Sequence, residues 1–591
     1  MLQGLSQNWN LENIFPGGSN SQTLEVEMNA LVQDVAALTA TVEAVGSDPG
    51  KWQSALGRFQ DVGGRLREAG AFIGCLNAQD VKDDAAKILQ GRLQQIFAAY
   101  GSAMTGLEKQ LLELDEETFA QLLAHEEIAP VAFNLEERRQ RAAEKLPSEM
   151  ERLINDLAVD GYHGWSNLYN VITGRIAIPW EKDGKEVQLS VGQAQNVFSS
   201  SDPQVRAQMA EKWEAAWAND AELCASALNH LGGFRLNLYK NRGWEEIHKE
   251  PLDINRMTGE TLEAMWGAIE AQKDVFVEYL NRKKELLGLE KLTWYDVHAP
   301  LAKVERKFSY DEACNFVVEQ FARVSPALAD FCVQAFQDRW VEAEDRAGKR
   351  AGAFCTSLPV SKETRVFMTF SGSPGGVSTL AHEMGHAFHS HCLNDLPLMA
   401  RGYAMNVAET ASTFAEMVVA DAAVQNAQSD QERIALLGEK VENSISFFMN
   451  IHSRFIFETE FYEARRRGPV SVAKLNQLMV SAQKRAYKDA LDEWHPHFWA
   501  SKLHFYMTGV PFYNFPYPFG YLFSAGVYAL AVQEDAAFEE KYINLLRDTG
   551  RMKVEDLALK HLGVDLTKPD FWNKAVAMTV ADAQEFLRIT K

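Results

Sequence analysis

The sequence predicts a mostly α-helical fold with one small β-sheet beside its main motif, and three observations carry that reading. Long stretches place apolar residues at intervals of three and four, the repeat that gives a helix one buried face. Apolar residues make up 46% of 591 positions, enough to build a large core or two lobes. Alternating apolar patterns, the mark of strands, are confined to two regions.

Taken in order, Pro16-Gly17-Gly18 breaks the chain first. Helical patterns then cover about Leu24 to Val45, Asp83 to Leu123, Leu135 to Leu157, Pro203 to Leu231, Thr261 to Leu287 and Asp311 to Gln337. Between the third and fourth, Arg175 to Trp180 and Glu186 to Ser190 alternate around the turn pair Asp183-Gly184, which predicts a β-hairpin. The run Ser199-Ser200-Ser201-Asp202-Pro203 ends this part with helix-capping residues. We divide the chain there, into an N-terminal helical lobe over 1–200 that includes the hairpin near 175–190, and a catalytic region over 201–591. A second β region from about Gly352 to Phe370 includes Arg365 to Phe370 and ends in the loop Ser371-Gly372-Ser373-Pro374-Gly375-Gly376. It is either a core strand or an exposed edge on which an extended peptide adds itself as another strand.

A net charge of -22 disfavours nucleic acid or an anionic membrane surface as a partner. No apolar run is long enough to span a bilayer, and the start Met1-Leu2-Gln3-Gly4-Leu5-Ser6 lacks a basic segment followed by an apolar one. The six cysteines are scattered singly, which fits reduced thiols. A cytoplasmic location is expected.

The chemistry lies in His382-Glu383-Met384-Gly385-His386. Histidines four apart on a helix stack one turn above the other, so both imidazoles reach one metal ion. The intervening Glu383 lies at the edge of that face, where it can take a proton from a water held by the metal and pass it to a leaving amine. Val377, Leu380, Ala381, Met384, Ala387 and Phe388 recur at helical spacing and give this helix its buried side. The pattern reads as a zinc peptidase with one Zn2+ ion per chain.

A third ligand leaves one of four tetrahedral positions for water. An extended pattern with Gly at 389 and His at 392 is excluded, because the chain has His389 and Cys392. Glu409, 23 positions after His386 (409 minus 386), is the economical third ligand, with Glu416 seven residues on sharing its helical face as support. His389 and His391 are expected to be structural or supporting, and Cys392 a small apolar residue.

Several further blocks accompany these: Trp294-Tyr295-Asp296-Val297-His298-Ala299-Pro300-Leu301, Gly348 to Phe354, Met368-Thr369-Phe370, Glu409 to Glu416, His504-Phe505-Tyr506 with Pro511-Phe512-Tyr513, and the opening Trp9 to Pro16. With them the chain resembles the thimet oligopeptidase family of zinc metallopeptidases, oligoendopeptidase F type, over nearly its whole length. The resemblance implies a two-lobed, zincin-like helical molecule with a deep substrate channel, cutting internal bonds of short unstructured oligopeptides. It also implies a histidine and tyrosines that stabilise the tetrahedral oxyanion, for which His504, Tyr517 and Tyr521 are the candidates. Pro516 and Pro518 alter the spacing between the tyrosines and keep Tyr513 open as an alternative to Tyr517. Two other activities share these residues. A carboxypeptidase or dipeptidyl carboxypeptidase needs a cation to grip a free carboxylate, for which Lys349, Arg350 or Arg401 are candidates; a catalytically silent peptide-binding protein is disfavoured by the intact Glu383.

Overall fold

Helices carry most of the chain, and they start where the sequence offers caps. The structure is a computed structural model that describes residues 1–182, 184–301, 306–533 and 537–591. Ser21 caps Gln22–Glu43, Asp83 caps Asp84–Glu113 and Asp202 caps Pro203–Arg242, each side chain accepting from a backbone N–H of the first turn. Internal caps and prolines also split several patterns that read as one helix. Asp115 restarts the chain after Glu113, Pro147 separates Ala132–Ala143 from Ser148–Ala158, and Ser325 with Pro326 separates Tyr310–Ala322 from Pro326–Gln337. Apolar spacing registers the buried face across such a break, because both pieces rest on the same core.

Several helices lie outside those apolar patterns, Pro49–Gln79 near the start and all those from Asp430 to Thr590 among them. Pro49–Gln79 is rich in glycine, which disfavours helix, yet it buries Trp52, Leu56, Phe59, Leu66, Phe72 and Ile73. Tertiary packing outweighs the propensity of its glycines.

Two compact units are assembled from interleaved segments: one from Met1–Glu144, Glu305–Ala422 and Val527–Val564, the other from Lys145–Val304, Ala423–Gly526 and Asp565–Lys591. This grouping by contact differs from a linear cut at residue 200. In the first unit, Leu24, Met28, Leu31 and Val35 of Gln22–Glu43 share a core with Phe59 and Phe72, and also with Phe367, Leu393 and Ala400. The N-terminal helices therefore fold onto the segment that flanks the motif.

The second unit contains the hairpin, β1 (Ile178–Lys182) paired antiparallel with β2 (Lys185–Leu189). Gly184 has φ +72, the left-handed conformation that its turn position requires; Asp183, the other half of the expected turn pair, lies outside the described residues. The first unit contains β3 (Val341–Glu342), β4 (Phe354–Leu358) and β5 (Glu363–Phe367) in the order β3-β5-β4, with β3 parallel and β4 antiparallel to β5. The segment Arg365 to Phe367, read as a core strand or an open edge, is the central strand. The edges belong to β3 and β4.

No helix among the described residues is long and apolar enough to cross a membrane. All six cysteines are free, and all but the half-buried Cys355 are buried.

Candidate metal centre

The motif lies on the helix Pro374–Cys392, which packs against β4 and β5. Ser373 accepts from the Gly376 amide at its start, and Pro374 sits in the first turn, where a missing N–H costs nothing. Val377, Leu380, Ala381, Met384, Ala387 and Phe388 are all buried, as their spacing predicts. That face anchors the helix and leaves His382 and His386 half-buried on another side.

Glu409 stands at the junction between the short helix Met405–Ala408 and the helix Thr410–Gln425. Gly385 sets how near it comes, because a Cβ at that position would lie 2.5 Å from Ala411 O and 2.6 Å from Ser412 Cα. Backbones this close tolerate only glycine.

The result is a convergent donor set. His382 Nε2 and His386 Nε2 each lie 3.4 Å from Glu409 Oε2, and the three donor atoms are all within 4.8 Å of one another. The imidazole rings stand nearly perpendicular, with centroids 4.9 Å apart. Glu416 Oε2 lies 3.2 Å from His382 Nδ1, and Glu416 Oε1 accepts from Ser378 Oγ at 3.2 Å. Ser412 Oγ donates to Glu409 Oε2 at 2.7 Å.

Electrostatics separate the two motif carboxylates. Burial opposes ionisation of Glu409, but the His386 and His382 imidazoles and the Ser412 hydroxyl outweigh it and pull its pKa down to about 2. Burial, reinforced by the Glu409 charge, raises Glu383 above the usual carboxylate range against the pull of both histidines. Glu383 is 6% exposed, and its Oε2 is buried with no hydrogen-bond partner. One carboxylate is thus held ionised against the imidazoles while the other is left available for protons. Two imidazole nitrogens and one carboxylate oxygen fit a divalent ion that accepts mixed nitrogen and oxygen ligands.

The neighbouring residues have other partners. His389 is fully buried, hydrogen-bonded through Nε2 to Thr549 Oγ1 at 2.9 Å, stacked on Tyr403 and pushed by burial to a pKa of about 3. His391 packs on Phe331, and burial pushes the Cys392 thiol up to about 12, leaving it unreactive. The cations considered for a free carboxylate are engaged as well. Lys349 Nζ donates to Glu344 O and Met368 O, Arg401 donates to Leu396 O and Asn394 O, and Arg350 lies over the Phe354 ring.

His504, Tyr513, Tyr517 and Tyr521 belong to the second unit. The His504 and Tyr513 rings lie 5.1 Å apart, and Tyr517 donates its hydroxyl to Tyr513 Oη at 3.1 Å. Tyr521 stacks on Phe447 and shares a hydrogen bond of 2.9 Å with Ser444 Oγ. Burial, with the charges of Arg454 and Lys502, lowers His504 to a pKa of about 4, so its imidazole is neutral at neutral pH. Tyr506 is core, stacked on Tyr169 at 3.7 Å.

The model of peptidase family M3 matches residues 197–578, and an Oligopeptidase F model matches residues 110–177. The chain belongs to peptidase family M3. This family member is accordingly a metallopeptidase, a hydrolase of peptide bonds, with a His-His-Glu cluster available for the metal. Oligopeptidase PepF of Bacillus subtilis is 22% identical over 574 residues, spanning 95% of this chain and 84% of that protein. Group B oligopeptidase PepB of Streptococcus agalactiae is 23% identical, spanning 87% and 86%. Among solved structures, a putative peptidase from Chlamydophila abortus superposes with a TM-score of 0.85 at 19% identity, covering 99% of this chain and 98% of that one. Oligoendopeptidase-F from Enterococcus faecium superposes at 0.70 with 18% identity, covering 96% and 99%. These likenesses agree on the mostly helical fold with small sheets.

Proposed function

We propose that this M3 peptidase is a cytoplasmic, zinc-dependent oligoendopeptidase that hydrolyses internal bonds of short unstructured peptides, with one Zn2+ per chain on His382, His386 and Glu409. The observation that carries the reading is the convergence of those donor atoms, all within 4.8 Å of one another, beside the unpartnered carboxylate of Glu383. The names of the bacterial relatives and the 95% coverage by one of them support the peptide class. In the linear scheme, every residue named here falls in the catalytic region 201–591.

Bound zinc supplies Lewis-acid polarisation of the scissile carbonyl and of the attacking water. Glu383 takes a proton from that water as its oxygen bonds to the carbonyl carbon, and returns it to the amine nitrogen as the C–N bond breaks. Its raised pKa suits both halves of the exchange. Glu416 accepts from His382 Nδ1, so the Nε2 lone pair is presented for ligation. Ser412 steadies the Glu409 carboxylate. The neutral His504 imidazole and the phenols of Tyr517, Tyr521 or Tyr513 are the donors assigned to the oxyanion.

The test is Glu383→Gln, assayed with a peptide blocked at both ends. Wild type should cut the blocked peptide internally, lose activity with a chelator and regain it with zinc. The variant should keep its metal and lose turnover by orders of magnitude. A variant as active as wild type, or a wild type that cuts only peptides with a free end, overturns the proposal.

A further inference from the structure

The second unit holds a pocket of about 270 Å³ whose wall includes Trp213, Trp294, Tyr295 and Phe498, together with Arg454 and Lys502. Both cations crowd one ring: the Arg454 guanidinium carbon lies 5.3 Å and the Lys502 Nζ 5.1 Å from the Phe498 centroid. Arg454 donates from Nη1 to Asn514 Oδ1 at 3.0 Å, while its Nε is buried with no partner. Among the described residues neither cation has a carboxylate within ion-pair distance. The acids nearby are committed elsewhere, Glu214 to His495 and His497, and Glu442 to Lys283 and Tyr279.

Two unpaired cations set close together in a protein of net charge -22 are costly to keep. Burial and mutual repulsion lower Lys502 to a pKa of about 7, and burial lowers Arg454 to about 10. An anion between them would relieve both. The pocket adjoins the histidine-tyrosine cluster through the chain itself, since Lys502 precedes His504 by two residues and the Arg454 partner Asn514 follows Tyr513. A lining that combines aromatic rings with two cations suits an acid borne on an apolar or extended chain.

We propose that this pocket binds a carboxylate of the peptide substrate, with Lys502 and Arg454 as its cationic contacts and Trp294 and Tyr295 as its apolar wall. The inference rests on the oligopeptidase reading for the identity of the ligand. The carboxylate has two sources, the peptide's free terminus or an acidic side chain.

Equilibrium binding separates them. Full-length Glu383→Gln protein with its metal is titrated, by tryptophan fluorescence, with two peptide pairs. The first pair differs only in a free or amidated carboxy terminus; the second, amidated throughout, carries Glu or Gln at one position. A preference of about tenfold for the acid member of one pair is expected, and that pair names the source. Adding Lys502→Met should reduce it to within about twofold, and Lys502→Arg should retain most of it. Equal affinities in both pairs overturn the proposal without recourse to any variant, as does a preference that survives in both Lys502→Met and Arg454→Gln. If the preference holds and depends on Lys502 while wild type cleaves no peptide, the pocket stands and the peptidase mechanism falls.

Discussion

Gly385→Ala tests the packing argument for the metal site. The added Cβ would sit 2.5 Å from Ala411 O, about 0.9 Å inside an ordinary contact of 3.4 Å (3.4 minus 2.5), and its other near neighbours are backbone atoms that cannot rotate away. The helix Thr410–Gln425 must therefore move by the better part of an ångström, taking Glu409 with it. Overpacking of this kind costs about 1–3 kcal/mol, and alanine returns roughly 0.5–1 kcal/mol of helix propensity, for a net loss of up to about 2.5 kcal/mol. Ligation is hit harder, because metal-ligand distances tolerate only about 0.2 Å. Zinc affinity should fall at least tenfold to a hundredfold, and kcat/KM by about a hundredfold or more. Urea unfolding, competition with a chelator and peptide turnover measure the three effects. Gly57→Ala is the control, a helical glycine with nothing within 4 Å of its Cβ position, and it should be neutral or slightly stabilising. If Gly385→Ala binds zinc and turns over like wild type, the two backbones do not constrain the site and the reasoning fails.

Other consequences follow from single contacts. Glu416→Ala removes the acceptor on His382 Nδ1 and should weaken zinc binding about tenfold to a hundredfold in chelator competition, with Glu416→Gln intermediate. His504→Gln and Tyr517→Phe should each lower kcat, by up to about a hundredfold to a thousandfold, while KM changes little in steady-state assays. Burial raises Glu458 to a pKa of about 8, so between pH 4.5 and 8 the folded state retains a proton that the unfolded chain has released. Stability from this group is then greatest below pH 4.5 and declines as pH rises to about 8, by a few kcal/mol at most; urea melts of Glu458→Gln across that range should lack the decline.

The motif was legible because helix geometry turns a spacing of four into a shared face, and His382, Glu383 and His386 need nothing beyond their own helix. Glu409 was legible only as a glutamate in the right company, since its place depends on the contact of Gly385 with Ala411 and Ser412, which no local pattern records. The helical patterns read as far as Gln337 fall on helices but miss their ends, because Asp115, Pro147 and Ser325 cut patterns whose apolar faces continue across the break, and the helices from Asp430 to Thr590 were not read at all. The glycine-rich Pro49–Gln79 helix was unreadable by propensity because its stability is tertiary. Strand order was equally out of reach, for the central place of β5 depends on pairing with Val341–Glu342, more than twenty residues away. Arg454 and Lys502 carried no signal at all, being lone cations in separate segments that the fold brings together at the Phe498 ring.

The helix Thr410–Gln425 also supports the proposed role of Glu409 as third ligand. Ser412 follows Glu409 by three residues and Glu416 by seven, one and two helical turns on, so ligand and supports share a single face. From that face Ser412 holds the ligand carboxylate and Glu416 reaches the far nitrogen of His382. A shift of this helix would therefore disturb the ligand and the orientation of its histidine partner together. That coupling makes the close approach at Gly385 a single point of control over metal affinity, and it requires that Gly385→Ala and Glu416→Ala combined weaken zinc binding by less than the product of their separate effects.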